Sequence, residues 1–513
     1  MKKHNKKPVF KSYEQNQQML LPPSFDELIE TKHPVRIVNR IIESIDLATL
    51  YEQYEGGGAS SYSPRMMLKV IIYGYLSNIY SSRKIESAVK ENIHYMWLSG
   101  MQRPDHNSIN RFRSDKLNAV IKDLFSKIVI MLNEEGLLSI KDIYTDGTKI
   151  EANANKYTFV WGKSIKTRKE KIASQIEDLW RYAEEVTKEE LMDTSPTSYK
   201  EISSEKVKET IDKINESLKG HKIDPKIKQK LKRVKEAWPE QLDRYKEQEE
   251  ILQGRNSYSK TDKDATFMRM KDDHMGNGQL KAGYNWQIST NEQFIVNYTV
   301  HQSAGDTVTL IEHLQEHERL YGTMPEELTA DAGYGSEENY KYADDNGIEA
   351  FIKYNYFHKE ETKRWKQDIS KSQNLYYNPD QDCYYCPMGQ QMSCIGEFSS
   401  FSKTGFKQTT KKYQAKNCHG CPLRGACHKA KDNRIIEVNH NANNFKSRVK
   451  ALLTSPKGLE KRSKRPIEPE PVFGNIKHNK GFKRLMLRGL EKVQIELGLI
   501  SIAHNIAKMA CLS

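Results

Sequence analysis

The stretch DIYTDGTKIEANA (142–154) decides how this chain is read. Its β-branched and turn residues are those of a strand, and Asp146 falls at the strand's centre. Strand signals resume downstream at LKAGYNWQIST (280–290) and QFIVNYTVHQS (293–303), a hairpin with Asn291-Glu292 near its turn. A helix fits DTVTLIEHLQEHERLYG from Asp306, and EELTADAGY supplies a short strand ending at Asp331. A helix from Ser336 and a strand at IEAFIKY (348–354) follow. Two antiparallel strands, a helix, then strand–helix–strand describe an α/β domain with a mixed central sheet. Asp331 then stands at the carboxyl end of a strand, where such sheets place their chemistry.

Two long segments interrupt this pattern. Residues 165–250 hold 20 Lys or Arg and 20 Asp or Glu, so their charges cancel and they make a poor track for a polyanion. Leu231, Val234, Trp238, Leu242 and Tyr245 recur at helical spacing, which predicts a long helical pair or coiled coil. The second interruption, 375–432, contains Cys383, Cys386, Cys394, Cys418, Cys421 and Cys427; only Cys511 stands apart. Beyond it, IIEVNH suggests a short strand, NNFKSRVKALL a helix, and the last helix runs from about Gly489 to Met509.

Upstream, PRMMLKVIIYGYLSNIY (64–80) opens with a proline suited to a first helical turn and carries a broad apolar stripe. SRKIESAVKEN, with Ser82 as cap, is a second helix, and Ser108 is placed to cap a third that runs to Gly136. Arg111 and Arg113 fall early in that third helix, as a helix-turn-helix reader of DNA requires; a plain helical bundle is the alternative. The glycines at 56–58 lack the strand–helix setting of a phosphate cradle, and His274 belongs to a loop.

The whole composition narrows the class. With 37% apolar and 29% charged residues in 513, the chain is a globular protein of several units. No run approaches 18 apolar residues and the basic start lacks an apolar signal stretch, so a cytoplasmic protein is expected, nucleoid-associated when bound to DNA. The net charge is +13, and residues 441–490 alone hold 13 Lys or Arg against 3 Asp or Glu. That strip includes Lys477, Lys480, Lys483, Arg484 and Arg488, which are assigned to DNA phosphates.

An acid inside the strip is the third chemical group. Asp146, Asp331 and Glu470 converging on one point would repel unless hard cations occupied the site. Two Mg²⁺ ions about 3.5–4 Å apart, with Mn²⁺ as substitute, are the recurring solution in phosphoryl transfer. Glu468 competes with Glu470, but two residues on a helix diverge by roughly 200°, so only one points inward. Lys477, two helical turns after Glu470, shares its face if the segment is helical and would hold a phosphate beside the metals. In the cysteine segment, Cys418-x2-Cys421-x5-Cys427 supplies three thiolates and Cys386 or Cys383 a fourth, the donor set of a closed structural Zn²⁺ site. His419 and His428 are then not ligands.

These residues carry a specific resemblance. SYSPRMMLKVIIYGYLSNIYSSRKIE, RPDHNSINRFR, YTDGTKIEANANKYTFVWGKS, LKAGYNWQIST, LTADAGYGS and EPVFGNIKHNKGFKRLMLRGLEKVQIELGLISIAHNIAKM occur in the order found in bacterial insertion-sequence transposases of the DDE family. The chain resembles the branch with an InsH-like N-terminal domain and a cysteine-containing insert. The resemblance implies an RNase H-like catalytic domain with Asp146 on its first strand, Asp331 after its fourth and Glu470 on a later helix. It further implies that Glu470 and Lys477 match the family's glutamate and DNA-contacting lysine, and it prefers Cys386, in CPMG, over Cys383. Pro466 occupies the position of the family's upstream arginine, leaving Arg465 or Arg462 to substitute.

The expected architecture is therefore an all-helical N-terminal DNA-binding domain (1–135) before an RNase H-like mixed-sheet domain split into 136–164, 251–374 and 433–513. The charged helical insertion (165–250) and the cysteine-rich, zinc-binding-like insertion (375–432) separate those pieces. The expected activity is metal-dependent cleavage at transposon ends and transfer of the 3′-hydroxyl strand into target double-stranded DNA, by a homodimer or larger assembly. The alternatives are a DNA endonuclease without strand transfer and a domesticated DNA-binding protein without catalysis.

Overall fold

The computed structural model describes residues 24–54, 61–187, 202–270 and 278–512; the glycines at 56–58 and His274 lie outside them. Six strands form the central sheet: β1 (Asp142–Glu151), β2 (Thr266–Arg269), β3 (Leu280–Asn291), β4 (Phe294–His301), β5 (Glu327–Ala330) and β6 (Glu349–Ile352). The main order is β4–β3–β1–β5–β6, and β2 shares the outer edge of β3 with β4. β3 runs antiparallel to β1 and β4, whereas β5 and β6 run parallel to β1. This is an RNase H-like topology. The β3–β4 hairpin turns at Glu292 and Gln293, both with positive φ, one residue later than the sequence suggested.

The helix Leu490–Leu512 packs against β4 and against the helices Pro64–Leu76 and Ile121–Glu134. Gly498 makes this approach possible, since a Cβ there would lie 2.4 Å from the Tyr298 hydroxyl oxygen. The helix Pro64–Leu76 is buried on nearly all sides, from Pro64 to Tyr75. A helix apolar all round needs partners on more than one face. The N-terminal helices consequently share one hydrophobic core with the sheet rather than enclosing a separate one.

The expected third N-terminal helix is broken. Asp105, not Ser108, caps a short helix His106–Arg111 by accepting the Ser108 N–H at 2.8 Å. A wide π-type turn, Phe112–Lys116, follows, and the chain re-enters a helix at Ile121–Glu134. Ser82 likewise begins its helix instead of capping it.

Among its described residues the charged insertion has three helices, Gly162–Thr187, Ser204–Ser217 and Pro225–Leu252, around a second core containing Ile176, Trp180, Ile211, Val234, Trp238 and Leu242. The cysteine-rich region carries a five-stranded antiparallel sheet, from Tyr376–Asn378 to Ile435–Val438, with its own small core of Tyr384, Met392, Tyr413, Ile436 and Val438. The strand Ile435–Val438, expected to open the last catalytic segment, pairs with Lys407–Ala415 in this smaller sheet.

Candidate active site

The parallel register of β1 and β5 sets Thr145 beside Ala330, so Asp146 and Asp331 emerge on neighbouring strands. Asp146 is buried, and its Oδ1 accepts the Gly147 N–H at 2.8 Å. Asp331 leaves the sheet as the cap of the turn Ala332–Tyr334, its Oδ1 accepting the Gly333 N–H at 2.7 Å. Glu470 comes from the helix Pro469–Gly474, which lies against β1 and seats Phe473 edge-on to Trp286. Glu468 turns away: its Oε2 accepts the Gln293 N–H at 2.9 Å, and burial raises its pKa.

One guanidinium joins the three carboxylates. Arg465 lies 3.2 Å from Asp146 Oδ2 and 3.6 Å from Asp331 Oδ2 through Nη2, and 2.9 Å from Glu470 Oε1 through Nη1. Two unit charges 4 Å apart interact by about 4 kcal/mol at an effective dielectric near 20, so three gathered carboxylates need a cation. Side-chain exposure rises from 7% at Asp146 to 39% at Asp331 and 52% at Glu470, so the cluster opens to solvent on one side. Arg462, the other candidate for the displaced family arginine, instead lies over the Phe357 ring and bonds the Leu453 carbonyl. Lys461 pins the preceding helix by reaching Asp142 and Glu327, each at 2.5 Å.

Beneath Asp331 lies a buried polar network that sequence reading missed. Asp306 Oδ1 receives Lys149 Nζ at 2.8 Å, Asn285 Nδ2 at 2.8 Å and Gln287 Nε2 at 3.0 Å. Burial pushes the Asp306 pKa up, but Lys149 and the two amides outweigh it and hold the carboxyl below its usual value. Tyr334 donates to Gln287 Oε1, and Thr307 donates to the Gly333 carbonyl at 2.7 Å. Burial and the neighbouring Asp146, Asp306 and Asp331 raise the Tyr334 pKa strongly, so its hydroxyl remains a donor. The turn carrying Asp331 is thus gripped from below. In sequence Asp306 looked only like the start of a helix.

The basic residues divide into inward and outward sets. Lys477 is buried; its ammonium donates to Thr148 Oγ1 at 2.7 Å and to the Lys149 carbonyl at 3.1 Å. Between Glu470 and Lys477 the α-helix gives way to a π-type turn, Asn475–Asn479, so the spacing is no longer two regular helical turns. Lys477 thus braces β1 from the segment after Glu470. Arg113 is also buried, donating to the Tyr75 hydroxyl and to the Tyr80 carbonyl, and so is not placed to read DNA. Lys480 is half-buried, with its ammonium on the Leu76 carbonyl. Arg111, Lys483, Arg484 and Arg488 are exposed. Arg484 donates to the Ala152 and Ala154 carbonyls and Arg488 to the Asn153 carbonyl, fastening the strip to the chain leaving β1.

Cys386, Cys418, Cys421 and Cys427 line one small cavity together with His428 and Arg434. Arg434 Nη1 donates to Cys427 Sγ at 2.8 Å, and the Arg434 backbone N–H donates to Cys418 Sγ at 3.4 Å. Cys383 is buried outside this cavity, and Cys394 is exposed. None of the seven cysteines is paired in a disulfide. Among the described residues, no three His, Cys, Asp or Glu side chains stand in ready metal-holding geometry.

The fold and the carboxylate cluster define a class: an RNase H-like domain with acidic side chains gathered at the strand ends. Comparison with known families agrees. Residues 385–510 match the family described as Transposase DDE domain, and residues 23–115 match one described as Transposase domain. The first match includes Arg465, Glu470 and the four cavity cysteines, while Asp146 and Asp331 lie outside it. No curated protein and no solved structure matches the chain. The helix Leu490–Leu512 is long and apolar enough to cross a membrane, but 72% of its most apolar stretch is buried against the sheet and the N-terminal helices.

Proposed function

We propose that this chain is a DDE-type DNA transposase that cuts double-stranded DNA at element ends and joins the resulting 3′-hydroxyl strand to target DNA. One arrangement carries the proposal: Asp146, Asp331 and Glu470, from three distant parts of the chain, meet on a single guanidinium. An all-oxygen donor set already surrounding one cation suits Mg²⁺ or Mn²⁺. Bound divalent ions would lower the pKa of an attacking water or 3′-hydroxyl and stabilise the departing oxygen. The protein's own share is positional: the β1–β5 register holds the two aspartates together, and the Asp306 network keeps the Asp331 turn from drifting. Lys483, Arg484 and Arg488, exposed beside the β1 exit, serve the DNA backbone.

Two further parts belong to the same reading. Cys386, Cys418, Cys421 and Cys427 hold a structural Zn²⁺; their shared cavity and the N–H groups aimed at Cys418 and Cys427 support this. The active form is a homodimer or larger assembly, because two element ends must be brought together.

The test is a cleavage-and-joining assay on DNA carrying the element's own ends, with Mg²⁺ or with EDTA. Metal-dependent cutting and joined product, lost in Glu470→Gln but kept in Glu468→Gln, is expected. Cutting without joining would favour a nuclease. Specific binding with neither product would leave a DNA-binding protein.

A further inference from the structure

We propose that Arg465 is a built-in competitor for divalent metal: it neutralises the carboxylate cluster in the free protein, and DNA draws it away. This rests on the transposase reading and adds a coupling between DNA and metal. Several features of Arg465 point the same way. Its guanidinium lies within ion-pair distance of all three carboxylates at once, so a metal drawn to those oxygens would have to displace it. Its hold is incomplete: the Nε–H is buried and has no acceptor among the described residues. Its backbone belongs to a short 3₁₀ turn, Arg465–Ile467, between the helices Pro456–Lys464 and Pro469–Gly474, and so to a junction rather than a helix face.

The electrostatic consequence follows directly. Without a cation the three carboxylates repel, so the guanidinium stabilises the metal-free fold while occupying the metal's place. A guanidinium pairs with phosphate oxygens as readily as with carboxylates, and does so through the same planar fork. A DNA backbone at the open side of the cluster therefore offers Arg465 an alternative anion and leaves the carboxylates to the metal. By linkage, DNA must then tighten metal binding and metal must tighten DNA binding by the same factor. The free protein is kept poor in metal, and the cut is reserved for bound DNA.

The experiment is calorimetric titration of the full chain with Mn²⁺ in the absence of DNA. Wild type, Arg465→Gln, Arg465→Lys and Glu470→Gln are compared. Arg465→Gln is expected to bind Mn²⁺ about tenfold more tightly than wild type, the low end of what one opposite charge does to a carboxylate's proton affinity. Its melting temperature in EDTA should fall, and Mn²⁺ should restore more of it than in wild type. Arg465→Lys, which keeps the charge and loses the fork, should lie between and guards against a poorly folded Gln variant. In a second titration with Ca²⁺, duplex DNA should tighten ion binding to wild type and leave Arg465→Gln nearly unchanged. If wild type binds Mn²⁺ through Glu470 but both Arg465 variants bind it equally or more weakly, the competitor role is overturned and the transposase reading stands. If no protein shows binding that Glu470→Gln removes, the metal-dependent reading fails and the inference fails with it.

Discussion

Among the described residues, a group of carboxylates and a group of cysteines each have an arginine against them. In the carboxylate cluster, Arg465 reaches Asp146 and Asp331 through Nη2 and Glu470 through Nη1. In the cysteine cluster, Arg434 Nη1 donates to Cys427 Sγ and to the Ile369 carbonyl and Nη2 donates to the Ser370 carbonyl, holding the cysteines from the flank. The difference follows from charge. Carboxylates are anions at neutral pH whether or not a metal is present and must be neutralised at once. Thiols become anions largely when metal binds, so they need only a supporting donor beside them. One arginine stands among the carboxylates, and the other stands at the flank of the cysteines.

Replacing one member should break the carboxylate cluster outright. Asp146→Asn is expected to lower the cleavage rate by about 10³-fold, the several kcal/mol that metal electrostatics supply, with the fold retained by circular dichroism. A variant that cuts at near the wild-type rate would remove Asp146 from the chemistry.

Acid probes the scaffold behind the same cluster. His504 is buried, with Nε2 on the Gln293 carbonyl and Nδ1 near the Asn475 amide, and burial lowers its pKa to about 4. The unfolded imidazole takes its proton near pH 6.5, so between 6.5 and about 4 the unfolded chain binds the extra proton. Stability present above pH 6.5 is therefore lost as pH falls through this window, by up to about 3 kcal/mol from this one group. Denaturant melts at pH 7.5 and pH 4.5 should show the loss, and His504→Gln should reduce it.

Packing sharpens the contrast next. A Cβ at Gly147 would lie 2.3 Å from Gln287 Nε2, so Gly147→Ala must displace the amide that holds Asp306. A loss of about 2 kcal/mol is expected from such overpacking, read as a lower denaturation midpoint. If Arg434 supports rather than replaces, Arg434→Gln should weaken zinc binding by about tenfold, as loss of an outer-shell partner does, and leave the cleavage rate of folded protein unchanged. Stronger zinc retention in that variant would mean that Arg434 competes with metal, as Arg465 is proposed to do.

Much of the carboxylate cluster was legible in sequence, because strand pattern and parallel pairing are local consequences of residue type. The strand around Asp146, the short strand before Asp331 and the divergence of Glu468 from Glu470 all appear as the pattern suggests. Of the two arginines the sequence offered beside Pro466, Arg465 reaches Glu470 and Arg462 bonds the Leu453 carbonyl. Lys477 and Arg113 read as DNA contacts because both are basic and lie in basic company; that both are buried, each within a π-type turn, is not visible from charge and spacing.

The amino-acid order by itself determined the alternation of strands and helices, the two insertions and the identities of the acids and thiols. Those follow from periodicity, composition and side-chain chemistry along a few neighbouring residues. Only the tertiary structure decided that the N-terminal helices share the sheet's core, that Gln287 links Asp306 to Tyr334 in the turn after Asp331, and that a guanidinium sits among the acids. Each of these depends on groups far apart in the chain, and their positions are set by how whole elements pack rather than by any local preference.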